Sequence, residues 1–280
     1  MIDPDNITSG ELMIRQDAKI ELSNIRFERA SRAILDDVSW TLAHGEHWAV
    51  VGANGSGKTT MLQIATGYLW PNEGSVCVLG EKYGQVDLRQ LRKRIGWVSS
   101  SLIPLVRPAQ PARDVVLAGC FAATVLFEQP TPAQHRRANE LIEQIGCTAI
   151  AHSRFGVLSL GEQQRIMIAR ALMAEPELLI LDEACAGLDL AAREGLLATI
   201  GQLAAESERT SMVIVTHHIE EIPAGFSHAM ILKAGRVLAA GPKENVLTGE
   251  MLSKAFSMTV EVEHKYGRYW PKVSGESLMQ

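Results

Sequence analysis

Hydrophobic positions divide this chain into segments with two periods. From Ala18, KIELSNIRFE alternates apolar and polar residues, and ILDDVSWTLA alternates again, so two strands with one buried face are predicted. His44-Gly45-Glu46 is a turn, and HWAVV (47–51) is an uninterrupted apolar run, the profile of a strand buried on both faces. A helix over Lys58–Thr66 stops at Gly67 and Pro71, and a short β segment follows at Gly74–Leu79. The basic run DLRQLRKR (87–94) reads as a solvated face, before a further apolar strand at Ile95–Val98. Three prolines in PLVRPAQP (104–111) predict a loop, and helices are expected over about 113–127, about 132–146 and after Gly161. LLIL (178–181) and MVIV (212–215) are buried strands separated by a helix over about 190–206. Strands alternating with helices predict an α/β protein with a largely parallel, doubly covered sheet behind an antiparallel N-terminal region. Residues 1–17 are polar and weakly periodic and are expected to form an extension.

Composition adds little to this picture. The 280 residues are 46% hydrophobic and 21% charged, ordinary globular usage. The net charge of −5 argues against a dominant nucleic-acid surface. Uncharged runs such as Val115–Phe127 fall short of the roughly 20 residues that span a bilayer, and the polar, acidic start does not read as a secretory signal. Cys77, Cys120, Cys147 and Cys185 show no metal-ligand spacing and read as reduced thiols of a cytoplasmic protein.

The candidate chemistry sits where strands end. Gly52-Ala53-Asn54-Gly55-Ser56-Gly57-Lys58-Thr59 fits the spacing GxxxxGK[ST] between a buried strand and a helix, and Thr60 follows on the helix. Glycines allow backbone N–H groups to wrap a phosphate, with the helix N-terminus facing the anion. Lys58 would reach the β and γ phosphates of ATP, and the Thr59 hydroxyl would hold Mg²⁺. Asp182 and Glu183 end the LLIL strand, where open parallel sheets bind ligands: Asp182 toward Mg²⁺, Glu183 toward the attacking water.

Further motifs carry a resemblance. Leu158-Ser159-Leu160-Gly161-Glu162-Gln163-Gln164-Arg165 resembles the LSGGQ signature of ATP-binding cassette (ABC) ATPases, Ala186-Gly187-Leu188-Asp189 their D-loop and Thr216-His217 their switch histidine. The resemblance covers about residues 18–260 and implies a P-loop NTPase ABC nucleotide-binding domain with an N-terminal antiparallel β subdomain. It further implies an inserted helical subdomain at about 100–160 and a C-terminal tail at 261–280. It implies ATP hydrolysis as the cytoplasmic energy-coupling subunit of a transporter at the inner face of the membrane. The alternative is a soluble cassette without a permease, acting on a macromolecular partner. Two cassettes would sandwich ATP, with Ser159 and Gly161 facing the other chain's phosphate loop, Asp189 linking the sites and His217 contacting the γ-phosphate.

Three positions depart from the family pattern. The signature has Leu160 and Glu162 where glycine and glutamine are usual, and Ser100 stands where a metal- or water-binding glutamine is expected. The adenine-stacking aromatic falls at Arg29, with Phe27 as a nearby substitute. IGWVSSS paired with LSxGEQQR resembles the branch of photorepair-protein and molybdate-cluster ATPases, whereas GPKENVLTGEMLSKAF resembles the tail of metal- and siderophore-import ATPases.

Overall fold

The computed structural model describes residues 17–207 and 209–273. The expected extension therefore lies, except for Asp17, outside the described residues. In chain order the elements begin with β1 (Ala18–Arg29), β2 (Arg32–Ala43), β3 (Trp48–Val51) and α1 (Lys58–Ala65). Next come β4 (Glu73–Val78), β5 (Glu81–Lys82), α2 (Leu88–Lys93) and β6 (Ile95–Ser99). The helices α3 (Ala112–Ala118), α4 (Pro132–Gln144) and α5 (Leu160–Leu172) lead to β7 (Leu178–Asp182), α6 (Leu190–Glu206) and β8 (Ser211–Thr216). The chain closes with β9 (His228–Lys233), β10 (Arg236–Pro242), α7 (Lys243–Val246), α8 (Gly249–Phe256), β11 (Val260–Lys265) and β12 (Arg268–Val273).

The central sheet has the order β10-β9-β3-β8-β7-β6, parallel throughout except for β10. Its inner strands β3, β7, β8 and β9 read as largely continuous apolar runs because both faces are covered. Alternate residues leave on opposite sides. Trp48, Val50, Ile180, Val213 and Val215 face a core built with α1 and the antiparallel sheet β2-β1-β4-β5. Ala49, Val51, Leu179, Leu181 and Ile214 face a second core built with α3, α5 and α6. The register aligns Val51 with Thr216, Val215 with Asp182 and Asp182 with Ser99, so these carboxyl ends emerge side by side.

Between β6 and β7 the chain carries α3, α4 and α5 with 3₁₀ turns, the first of which (Ser100–Leu105) takes in Pro104 from the expected proline loop. The helix expected over 113–127 is cut short: α3 ends at Ala118, a 3₁₀ turn follows, and Ala122 turns left-handed at φ 52°. The cause is distant in sequence. Gly119 lies so close to α5 that a Cβ there would fall 2.0 Å from Arg170 O, and Arg170 Nε donates to Ala123 O at 2.7 Å. The expected C-terminal tail is, through Val273, an antiparallel hairpin of β11 and β12. It turns at Tyr266 and Gly267, both at positive φ, the conformation of a tight two-residue hairpin turn.

Candidate functional site

The phosphate loop connects β3 to α1. Gly57 has φ 105°, and a Cβ there would lie 2.7 Å from Leu35 Cδ2 and 3.0 Å from Ile34 O, so only glycine fits against β2. Gly52 is equally confined, 2.3 Å from Leu232 O in the same sense. These close approaches leave Asn54, Gly55 and Thr59 exposed on the outer curve of the loop, with Ala53 and Thr60 half-buried. Lys58 is buried, and its Nζ donates to Gly52 O (2.7 Å) and Ala53 O (3.1 Å). Burial lowers its pKa, while Glu183 and Asp182 oppose the shift.

Asp182 is only 5% exposed, and its Oδ1 is buried with no hydrogen-bond partner. Burial, and then the neighbouring Glu183, push its pKa up to about 6 against the opposing effect of Lys58. A buried carboxylate oxygen without a partner is costly unless a cation meets it. Asp182 and Thr59 line one cavity of about 900 Å³, so the residues present fit a hard divalent cation with oxygen ligands.

Glu183 adopts φ 49°, an unusual conformation for a long side chain, and its backbone N–H donates to Val215 O at 3.0 Å. Its Oε1 lies 3.7 Å from His217 Nδ1, and both residues line a smaller cavity of about 220 Å³ with Thr216, Arg193 and Glu221. Cys185 shares this cavity; burial first, then Glu221, pushes its thiol up to about 12, so it remains an unreactive thiol.

The structure thus brings Lys58, Asp182, Glu183 and His217 to one end of the sheet. Thr59 joins Asp182 there, whereas Ser159, Gly161 and Asp189 lie elsewhere. Ser159 and Asp189 cap α5 and α6, accepting from Glu162 N and from Ala192 N, and with Gly161 they line neither cavity. Glu162 accepts from Ser159 N and Ser159 Oγ, both at 2.8 Å, which draws its carboxyl below the usual range. Glu162 thus closes a capping box that occupies the signature serine. Arg29 is exposed at the end of the β1–β2 hairpin, opposite Arg32, whereas Phe27 is paired with Leu35, whose side chain abuts Gly57.

At the position of the departed glutamine, the wall of the larger cavity contains Ser101 and Leu102 rather than Ser100. Ser101 Oγ lies 2.9 Å from Ser99 Oγ. Sequence reasoning missed Ser101, since spacing identifies a position but not which way a 3₁₀ turn aims its side chains. It also missed Glu221, whose Oε2 accepts from Thr216 Oγ1 at 2.5 Å next to His217.

The family model for ABC transporter matches residues 35–186, from the strand beside the phosphate loop through Asp182 and Glu183. The chain belongs to the ABC transporter ATP-binding family. It is 41% identical over 244 residues to the uncharacterized ABC transporter ATP-binding protein YlmA of Bacillus subtilis (strain 168), covering 87% of this chain and 92% of that one. An inward-facing structure of a putative metal-chelate type ABC transporter is similar at 26% identity with a TM-score of 0.73, covering 92% of this chain and 99% of that one. A dimeric structure of a bacterial ABC transporter cassette is similar at 27% identity and a TM-score of 0.68, covering 80% and 98%. The chain is an ABC-type ATPase that binds ATP. Among the described residues no helix is long and apolar enough to cross a membrane.

Proposed function

We propose that this ABC ATPase is cytoplasmic and works as a pair of identical cassettes that drive a membrane permease from the inner face of the membrane. The carrying observation is the meeting of Lys58, Asp182, Glu183 and His217 at the carboxyl ends of adjacent parallel strands, with Glu183 and His217 3.7 Å apart. Lys58 and the loop amides of residues 52–59 neutralise phosphate charge. Asp182 and Thr59 would hold Mg²⁺, which when bound neutralises charge on the phosphate oxygens. Glu183 orients and polarises the attacking water, and His217 holds Glu183 in place while contacting the γ-phosphate. Phe27 or Arg29 flanks the adenine.

Ser159, Gly161 and Asp189 serve the site of the second chain in this reading. Support comes from the exposed apolar side chains Val157, Leu160 and Leu190 around the starts of α5 and α6. The two starts touch, since a Cβ on Gly161 would lie 2.9 Å from Ala192 Cβ. That a similar bacterial cassette forms a dimer supports the pairing.

The basic and aromatic part of the larger cavity's lining, as opposed to Asp182 and Thr59, is the proposed permease contact. Arg89, Arg92, Lys93 and Arg170 line it, and among the described residues none of the four is paired with a carboxylate. Tyr68 and Phe127 add exposed aromatic surface, so an acidic, aromatic-bearing segment of the permease fits. The test of the pairing uses Glu183→Gln, which should keep ATP bound while hydrolysing it slowly. Light scattering should show a monomer without nucleotide and a dimer in ATP and Mg²⁺; a monomer at saturating ATP refutes the sandwich.

A further inference from the structure

His217 directly follows β8, and no hydrogen bond anchors its ring at Nδ1. Its Nδ1 is buried without a hydrogen-bond partner, and the 3.7 Å to Glu183 exceeds hydrogen-bond range. The ring packs against that of His218, centroids 4.1 Å apart, so its position is set by the backbone that carries both histidines and by the 3₁₀ turn Ile219–Glu221 that follows them. Inside the turn, Glu221 N donates to His218 O and His218 N donates to Thr216 Oγ1. Outside it, Ile219 and Ile222 are buried in the core, and a polar grip comes from a residue far along the chain. Arg268, the first residue of β12, donates from Nε to Glu220 O at 2.8 Å and from Nη2 to the same oxygen.

The other edge of that guanidinium holds α6. Nη1 and Nη2 donate to the Glu194 carboxylate at 2.5 and 3.3 Å, a two-pronged pairing that fixes orientation as well as distance. Arg268 is only 16% exposed, with the Trp270 ring 5.0 Å from its guanidinium carbon. At the hairpin turn, a Cβ on Gly267 would come 3.3 Å from Ala224 Cβ, so the hairpin also packs against the segment after the turn. Glu194 follows Arg193, which lines the Glu183–His217 cavity.

We propose that the C-terminal hairpin braces the switch-histidine turn against α6, and that Arg268 is a positioning residue for ATP hydrolysis acting through His217. The inference rests on the reading of His217 given above. Closing the 3.7 Å gap to hydrogen-bond range needs a movement of well under 1 Å, and misplacement by about 1 Å costs on the order of 100-fold in rate. Without the brace the turn keeps its internal bonds but loses its fixed relation to α6. Nucleotide binding at residues 52–59 lies outside this linkage.

The experiment compares the full chain with Arg268→Ala, Arg268→Lys and Glu194→Gln. In Arg268→Ala, kcat per bound ATP should fall about 10- to 100-fold, while KM for ATP stays within about twofold and the ATP bound per chain is unchanged. Lysine cannot bridge both partners, so Arg268→Lys should fall between. Glu194→Gln keeps the arginine and should lose less than Arg268→Ala. In a His217→Ala background, Arg268→Ala should cost less than about twofold more, because residues acting as a unit are not additive. Amide exchange over 217–222, measured without nucleotide, should accelerate in Arg268→Ala. Unchanged exchange overturns the brace whatever the ATPase does. A loss of kcat matched by loss of bound ATP, or a full further loss in the His217→Ala background, overturns action through the histidine. If His217→Ala alone hydrolyses like wild type, the histidine reading fails, and the exchange result still decides whether the brace exists.

Discussion

Replacing Glu183 by glutamine removes a charge and leaves the backbone almost untouched. Its N–H still donates to Val215 O, and glutamine meets the same φ of 49° at similar cost. What disappears is the carboxylate that polarises water, a contribution of about 10²–10⁴-fold. At about 1.4 kcal/mol per tenfold, that is about 3–5 kcal/mol on the barrier. Glu183→Gly separates this loss from stability. It relieves a left-handed conformation that costs about 1–2 kcal/mol in a residue with a Cβ. It also adds unfolded-chain freedom, which destabilises by about 0.5–1 kcal/mol. The net expectation is a protein as stable as wild type, or more stable by up to about 1.5 kcal/mol, that hydrolyses ATP as poorly as Glu183→Gln. Phosphate release at saturating ATP and urea unfolding monitored by tryptophan fluorescence provide the two readouts. The reasoning is refuted if Glu183→Gln keeps more than about a tenth of the wild-type rate, or if Glu183→Gly is less stable by more than about 1 kcal/mol.

Two further outcomes are expected. Glu177, bonded to Arg94 Nε at 2.7 Å and to Lys19 Nζ at 2.8 Å, has its carboxyl drawn down from 4.5 to about 2, first by Arg94 and then by Lys19 against burial. Because the folded value lies below the unfolded one, its contribution is full above about pH 4.5 and is lost as pH falls toward about 2. The ceiling of about 3 kcal/mol is reduced to about 1–2 by exposure of a third of the side chain. Urea unfolding of wild type and Glu177→Gln should thus differ at pH 7 and converge below pH 4.5, and an equal difference at pH 7 and pH 3 contradicts the ion-pair assignment. Gly161→Ala forces its Cβ to within 2.9 Å of Ala192 Cβ, so a loss of about 1–3 kcal/mol is expected. Adding Ala192→Gly should recover most of it in thermal unfolding, and no recovery means the strain lies elsewhere.

The phosphate loop was legible in the sequence because its chemistry is local. Glycine spacing and the adjoining lysine lie within eight consecutive residues, and HWAVV and LLILD announce buried parallel strands by apolar content alone. Which face each strand residue meets was not legible, since a run buried on both sides carries no alternation; the pairing of Val50 with Val215 and Met230 assigns it. The C-terminal hairpin did leave a signal, VEVEHK and RYWPKV around Tyr266-Gly267, but with so much charge that it resembles a tail.

The sequence by itself determined the motifs, their order and the strand ends that carry them, because each depends on neighbours within a few residues. Only the tertiary structure decided the end of α3, the direction of Ser101 and the grip of Arg268. Arg170 acts on Ala123 from 47 positions away, and Arg268 reaches Glu194 across 74. No local period or spacing can encode such contacts. They exist only once two cores, one on each face of the parallel sheet, have fixed where distant helices and loops meet.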